Sequence, residues 1–300
     1  MSSLSATEDR PQARPKKTSI LSLLYRDKFA FVSAIFLVIA IACAILGAPL
    51  LAGPADQMNL AVRRAVPFTL NHGFLYILGG DTLGRSILAR VIVASRDTLA
   101  VSAGAVVCSV VVGTLLGLVA GMKDGWLSTL IMRCADIVMS FPSLLLALVI
   151  LYILGPSVPN VIVVLAITRV PVYLRTVRAE VLEIRQRMFV LAARSMAANP
   201  LQTVRRHILP VVRPTLVTLA MLDFAFIMLT ESSLTFLGLG IQPPDITWGL
   251  MVSQGQNYLV AAWWISFWPG LAIMLTTISL CLLGNWVRVV SDPRHRWRLE

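Results

Sequence analysis

Residues 29–48 read FAFVSAIFLVIAIACAILGA, twenty consecutive positions without a charged side chain. A helix rises about 1.5 Å per residue, so a run of that length matches the roughly 30 Å hydrocarbon core of a bilayer. The run is longer than a signal-peptide h-region and lacks a convincing small-x-small cleavage context, so it reads as an uncleaved membrane anchor. The rest of the chain fits that solvent. Of 300 residues, 57% are hydrophobic and 14% charged, with a mean hydropathy of +0.79. A water-soluble domain carries about 25% charged residues, and a chain this apolar could not cover a water-facing surface.

Outward from the anchor, five more apolar runs appear. Residues 1–28 are polar and basic and read as a cytoplasmic tail, while 50–97 are mixed and belong outside the hydrocarbon. A second span covers 98–122, with Gly113, Gly117 and Gly121 on one face, a spacing that lets another helix approach closely. Lys123-Asp124-Gly125 makes a turn. The third span, 130–154, contains Asp136 and Pro142, and Gly155-Pro156-Ser157 makes a second turn. The fourth is short, 158–174, with Arg169 and Pro171 at its fraying end. A basic stretch at 175–213 precedes the fifth span (214–234), a loop rich in Gly, Pro and Trp (235–265), the sixth span (266–287) and a basic tail (288–300).

The formal net charge of +11 belongs to the membrane topology and not to nucleic acid, because the charges flank apolar runs and form no basic domain. Lys and Arg number six in the N-terminal tail, eight in 175–213, four in the C-terminal tail and none in 235–265. The positive-inside rule then places both termini and the 175–213 segment in the cytoplasm. Five arginines run against the rule on the outer side of 50–97: Arg63 and Arg64 in mid-loop, and Arg85, Arg90 and Arg96 near Asp81 and Asp97. Cys43, Cys108, Cys134 and Cys281 lie in or beside apolar runs and read as small buried hydrophobes. The three histidines are too scattered for a metal site.

Several energy sources are missing. None of the four lysines follows a glycine, so no P-loop is present to hold ATP. A proton-coupled carrier needs intramembrane ionisable groups. The candidates are Asp136, Asp223 and Glu231, of which only Asp223 sits deep in its run, with a hydrogen-bonded packing role as the plainer reading. No histidine falls within the six spans, which removes an intramembrane serine protease.

The 175–213 stretch is the most informative. RTVRAEVLEIRQRMFVLAARSMAA (175–198) is rich in helix formers and free of Gly and Pro. Asn199-Pro200 supplies an N-cap and a first helical proline, so a second helix starts there and runs to Pro210. The product is a hairpin too polar to span and too long for an ordinary connection. One face carries Phe189, Ala192, Ala193 and Met196 among basic residues. Such a face suits either anionic lipid or a groove on another protein.

Residues 191–210, LAARSMAANPLQTVRRHILP, resemble the EAA loop of ABC importer permeases: Glu-Ala-Ala, a Gly four residues after the second Ala, and a later Ile-Leu-Pro or Ile-x-x-Pro. Ala192, Ala193, Ile208, Leu209 and Pro210 match. Leu191 stands where Glu is usual and Ala197 where Gly is usual. GGDTLGRSILARVIVASRDTL (79–99), through Gly80, Asp81, Gly84 and Arg85, resembles the peptide/nickel branch of these permeases, the DppC/OppC-like subunits. So do DIVMSFPSLLLAL (136–148), ESSLTFLGLGIQPPDITWGLM (231–251) and LLGNWVRVVSDPR (282–294).

The resemblance implies an all-α bacterial inner-membrane protein of six transmembrane helices. A tail (1–28), an anchor with an extracytoplasmic segment (29–97), a type I importer permease core (98–287) and a second tail (288–300) would make up the chain. It implies a pore shared with a second, homologous permease, two ABC ATPase subunits that bind ATP and Mg, and an extracytoplasmic solute-binding protein; this chain would carry no cofactor and no ATPase site of its own. The hairpin would be the coupling helix that seats in the ATPase, through Phe189, Leu191, Ala192, Ala193, Ala197, Ile208, Leu209 and Pro210. Asp223 and Glu231 are candidate pathway residues. The implied solute is a di- or oligopeptide; nickel, opines or other small solutes are alternatives within the family, and a stand-alone secondary transporter is the alternative outside it. The 235–265 loop, with Pro243, Pro244, Trp248 and Gly249, is expected to face the binding protein, and Trp263, Trp264 and Trp268 to anchor at the membrane interface.

Overall fold

The computed structural model describes residues 20–69, 73–196 and 199–291. Among these, the chain is helical with no strand, apart from one isolated bridge between Gly80 and Ser86. A short helix α1 (Ile20–Arg26) leads into α2 (Lys28–Asp56), whose start is capped by the Asp27 carboxylate accepting the Phe29 and Ala30 N–H groups at 3.1 Å. Then follow α3 (Ile87–Met122), α4 (Trp126–Ser140), α5 (Ser143–Leu154), α6 (Val158–Ile184), α7 (Met188–Ser195), α8 (Pro200–Phe236), α9 (Trp248–Gly255) and α10 (Trp264–Ser291). Five of these, α2, α3, α6, α8 and α10, are long and apolar enough to cross a membrane, and α4 with α5 makes a sixth crossing that is bent by 92°.

The bend corrects the expectation of one continuous third span. Proline disfavours a helical residue before it and cannot donate to the preceding turn. Phe141, just ahead of Pro142, is extended, and α5 restarts at Ser143. Other prolines fail to stop their helices. The fourth span is not short: α6 continues through Pro171 to Ile184, so its last turns are the first limb of the expected hairpin. The second limb does not end at Pro210 but runs on as α8. The turns before Pro210 and before Pro49 are widened into π-helix, at Val204–Ile208 and Cys43–Gly47. A wide turn absorbs a ring that would clash with the carbonyl behind it.

α3 lies at the centre, packed along its length on α6. The three glycines make that contact. A Cβ on Gly113 would stand 2.5 Å from the Cβ of Tyr173, and those on Gly117 and Gly121 2.7 Å from the Cβ atoms of Val177 and Val181. Small residues thus let the backbones approach, as the four-residue spacing predicts. Three further clusters fill the bundle: Val101, Ala105, Leu151, Val164 and Leu165 in its middle; Ile87, Met228, Trp248, Trp264 and Ile265 at the end where α3 begins; and Tyr173, Val177, Val181, Val190, Ile208 and Val212 at the end carrying α7. Three cysteines correct their reading as buried groups: Cys108, Cys134 and Cys281 are exposed and Cys43 is half-buried. In a bilayer the apolar positions are as much outside as in, so an apolar run does not imply burial.

Candidate functional site

The end of the bundle that carries α7 is built from helix termini. α6 closes with the Arg185 N–H on the Val181 carbonyl at 2.9 Å, and the Arg187 carbonyl then accepts the Val190 and Leu191 N–H groups to start α7. The 175–198 helix expected to be unbroken is therefore split at residues 185–187. Arg185 roots this corner: its guanidinium donates to the Gly121 carbonyl at 3.2 Å and pairs with Asp124 at 3.0 Å, joining it to the α3–α4 turn. Asn199 caps α8 as its sequence predicts, its Oδ1 accepting the Leu201 N–H at 3.2 Å.

Two residues pin α7 to the bundle. Val190 and Ile208 are fully buried against Tyr173, Val177, Val181, Ile184, Val212 and Leu216. The opposite face stands free. Met188 is 80% exposed, Met196 84% and Leu201 74%, with Phe189 and Leu191 at 43% each. Phe189 leans on His207 with ring centroids 6.3 Å apart. Of the other expected coupling residues, Ala192 and Pro210 are exposed, Ala193 and Leu209 half-buried, and Ala197 lies outside the described residues. Ile208 is thus part of the root and not of the presented surface, and Val190, Met188 and Leu201 belong to the hairpin although the motif did not single them out. Together these five bulky apolar groups, on α7, just after it and at the start of α8, make an exposed apolar patch of the kind that contacts a protein or a membrane surface.

The opposite end is closed by charge. Asp81 Oδ1 accepts the Leu83 and Arg85 N–H groups at 2.8 Å, and Oδ2 takes Arg85 Nε at 2.7 Å and Arg90 Nη1 at 2.5 Å. Arg90 Nη2 then reaches Gln254 Oε1 of α9 at 3.1 Å. Burial alone would raise the Asp81 pKa, but the Arg85 N–H and the two guanidinium groups outweigh it and hold the carboxyl below its usual range. Gly84 adopts φ +74°, and a Cβ there would sit 1.8 Å from the Asn59 carbonyl oxygen, so only glycine closes this turn. Trp264 is buried, with its indole N–H on the Gly80 carbonyl at 3.2 Å, and Trp248 donates to Val91 at 2.8 Å. These two tryptophans lock the clasp, whereas Trp263 is 45% exposed at the surface.

Within the bundle, Asp223 of α8 is buried and paired with Arg169 of α6, whose guanidinium also stacks over Phe226 at 4.4 Å. Arg169 was expected only to mark a helix end. Its partner is 54 residues away, and no periodicity signals such a pair. Glu231 is fully buried and accepts the Thr235 hydroxyl at 2.8 Å. Asp136 of α4 pairs with Arg175 of α6 and, at 3.8 Å, with Arg133.

A family model described as "Binding-protein-dependent transport system inner membrane component" matches residues 113–297. A relative from Escherichia coli (strain K12), named "Probable D,D-dipeptide transport system permease protein", is 33% identical over 97% of this chain and 96% of its own length. A glutathione transport system permease of Pectobacterium atrosepticum is 38% identical over 72% of each chain. A di/tripeptide transport system permease of Pseudomonas aeruginosa is 36% identical over 89% of each.

Proposed function

The chain belongs to the binding-protein-dependent transport system inner membrane component family, and on that premise we propose that it is one of two permease subunits of an ABC importer for di- or oligopeptides. The observation that carries the reading is the hairpin: an exposed apolar α7 whose root, Val190 and Ile208, is embedded in the same cluster as α6 and α8. Such an element moves as one body with the helices that would wall a pore. An ATPase seated on Met188, Phe189, Leu191 and Ala192 could therefore bias the pore. ATP binding shifts the pore only as far as the ATPase contacts differ between its two states.

In this reading, residues 98–287 form the permease core, α7 and both termini face the cytoplasm, and the clasp end faces the binding protein. ATP and Mg are bound by two ATPase subunits. The peptide class is supported by the names of relatives that align over most of the chain. The test is Ala193→Arg. Bulk and charge at this half-buried edge of α7 should prevent seating, so solute uptake falls to background while the amount of protein inserted in the membrane is unchanged. Undiminished uptake by this variant would overturn the coupling role of α7.

A further inference from the structure

Two cavities of mixed lining follow one another along a single face of α6. The first, about 210 Å³, is walled by Thr168, Arg169 and Val172 of α6, Ser143 and Leu146 of α5, and Phe141 at the α4–α5 break. The second, about 620 Å³ and nearer α7, sets Thr176 and Glu180 of α6, Thr215 and Thr218 of α8, and Arg288 of α10 among apolar groups of α8 such as Leu219 and Leu222. Arg169, Val172, Thr176 and Glu180 stand three or four residues apart and so form one stripe. The cavity between α3, α4 and α6 is different in kind, lined by Val112, Leu116, Ile131, Val138 and Ile167 among other mostly apolar groups, as suits lipid.

Two independent features forbid hydrocarbon at the stripe. Arg169 lies eleven residues into α6, about 17 Å along the helix, which is near mid-membrane. Its side chain keeps 17% of its surface open. A guanidinium at that depth faces protein or water. The break at Phe141 and Pro142 is also exposed, and α5 starts there without a side-chain cap, leaving first-turn N–H groups open. Irregular backbone at membrane depth is tolerated only against protein or a wet cavity. Both features border the first cavity. Asp223 is more deeply buried than Arg169, at 3%, so the cavity wall presents the cation and its counter-charge stands behind.

We propose that this stripe of α6 is the chain's wall of an aqueous translocation path, with Arg169 as the group that meets a carboxylate of the passing solute and Asp223 as the residue that positions it. The inference deepens the permease reading and rests on it. The test uses the assembled importer in membrane vesicles, with Cys43, Cys108, Cys134 and Cys281 replaced by serine and single cysteines placed at Val172, Thr176 and Val163. Val163 is on the outward apolar face of α6, 50% exposed. Two methanethiosulfonates of similar size are compared, one carrying a sulfonate and one a trimethylammonium group.

Val172→Cys and Thr176→Cys should react while Val163→Cys does not. With each rate divided by that reagent's rate on a free thiol in solution, the ratio at Val172→Cys should favour the anionic reagent by about tenfold, the size expected for one nearby unit charge in a partly wet site. Arg169→Lys should keep that preference. The paired change Arg169→Gln with Asp223→Asn, which leaves no buried charge unpaired, should bring the ratio to about one. No reaction at Val172→Cys and Thr176→Cys, in complexes that still hold their ATPase subunits, would overturn the path and leave the permease reading standing. A preference untouched by the paired change would overturn the role of Arg169. Complexes without any ATPase would remove the permease reading and this inference with it.

Discussion

The two ends of the bundle handle their side chains in opposite ways. At the clasp, charges that look misplaced in sequence are folded inward: Asp81, Arg85 and Arg90 satisfy one another and reach α9 through Gln254. At the hairpin, apolar groups that a soluble helix would hide are left outside, with Met188, Met196 and Leu201 almost fully open. The first arrangement finds its ionic partners within the chain, with only Arg90 Nε left unpaired among its buried nitrogens. The second is packed only at its root, Val190 and Ile208, and leaves its apolar face uncovered within the chain. The clasp is thus a device of folding, and on the coupling role proposed for α7 the hairpin is one of assembly, so variants at the two ends should fail in different assays.

Removing the clasp should have the largest effect on the chain itself. Asp81→Ala leaves the Arg90 guanidinium, 4% exposed, without its carboxylate. Breaking a buried pair from one side costs about 3–5 kcal/mol. Thermal unfolding in detergent should show a large loss, and a wild-type transition would break the comparison. At the hairpin, a double change Met188→Ser with Leu191→Ser should leave thermal stability within about 0.5 kcal/mol, as for surface positions. It should weaken ATPase retention by about 1–3 kcal/mol, the range for interface anchors. Equal loss in both assays would mean that this face is packed within the chain after all.

The smallest effect is one of pH. Because the folded carboxyl of Asp81 sits below its ordinary value, its contribution to stability is whole above the ordinary aspartate range, near pH 4. It is lost as pH falls through the lowered folded value. Acid should therefore destabilise the wild type more steeply than Asp81→Asn in that window, since the variant has no proton to take up there. Parallel acid profiles would show that the clasp does not stabilise through ionised Asp81.

Much of this was legible in residues that act locally or by period. The Gly113, Gly117 and Gly121 face announced a close helix contact, and Asn199-Pro200 announced the start of α8, while the nearness of Asp81 to Arg85 and Arg90 was visible without the buried clasp they form. What stayed hidden was long-range or cooperative. The Arg169–Asp223 pair joins two helices far apart in sequence, and the 185–187 break falls in a run of good helix formers, set by Val190 and Ile208 finding the core. Prolines misled in both directions. Pro142 ends a helix, whereas Pro171 and Pro210 are carried through, because neighbouring helices and a widened turn compensate for the missing N–H. The motif also joined Ile208 to Ala192 and Ala193, although the structure buries the first and presents Ala192 at the surface.

The central claim is that this chain is a coupled permease subunit, and affinity purification in mild detergent from its native host, with mass spectrometry of what accompanies it, tests that claim most directly. The account predicts a second multi-span permease and P-loop ATPases in the complex, of which only the ATPases are lost on Ala193→Arg. Recovery of the chain alone, conducting solute in liposomes without ATP, would contradict it.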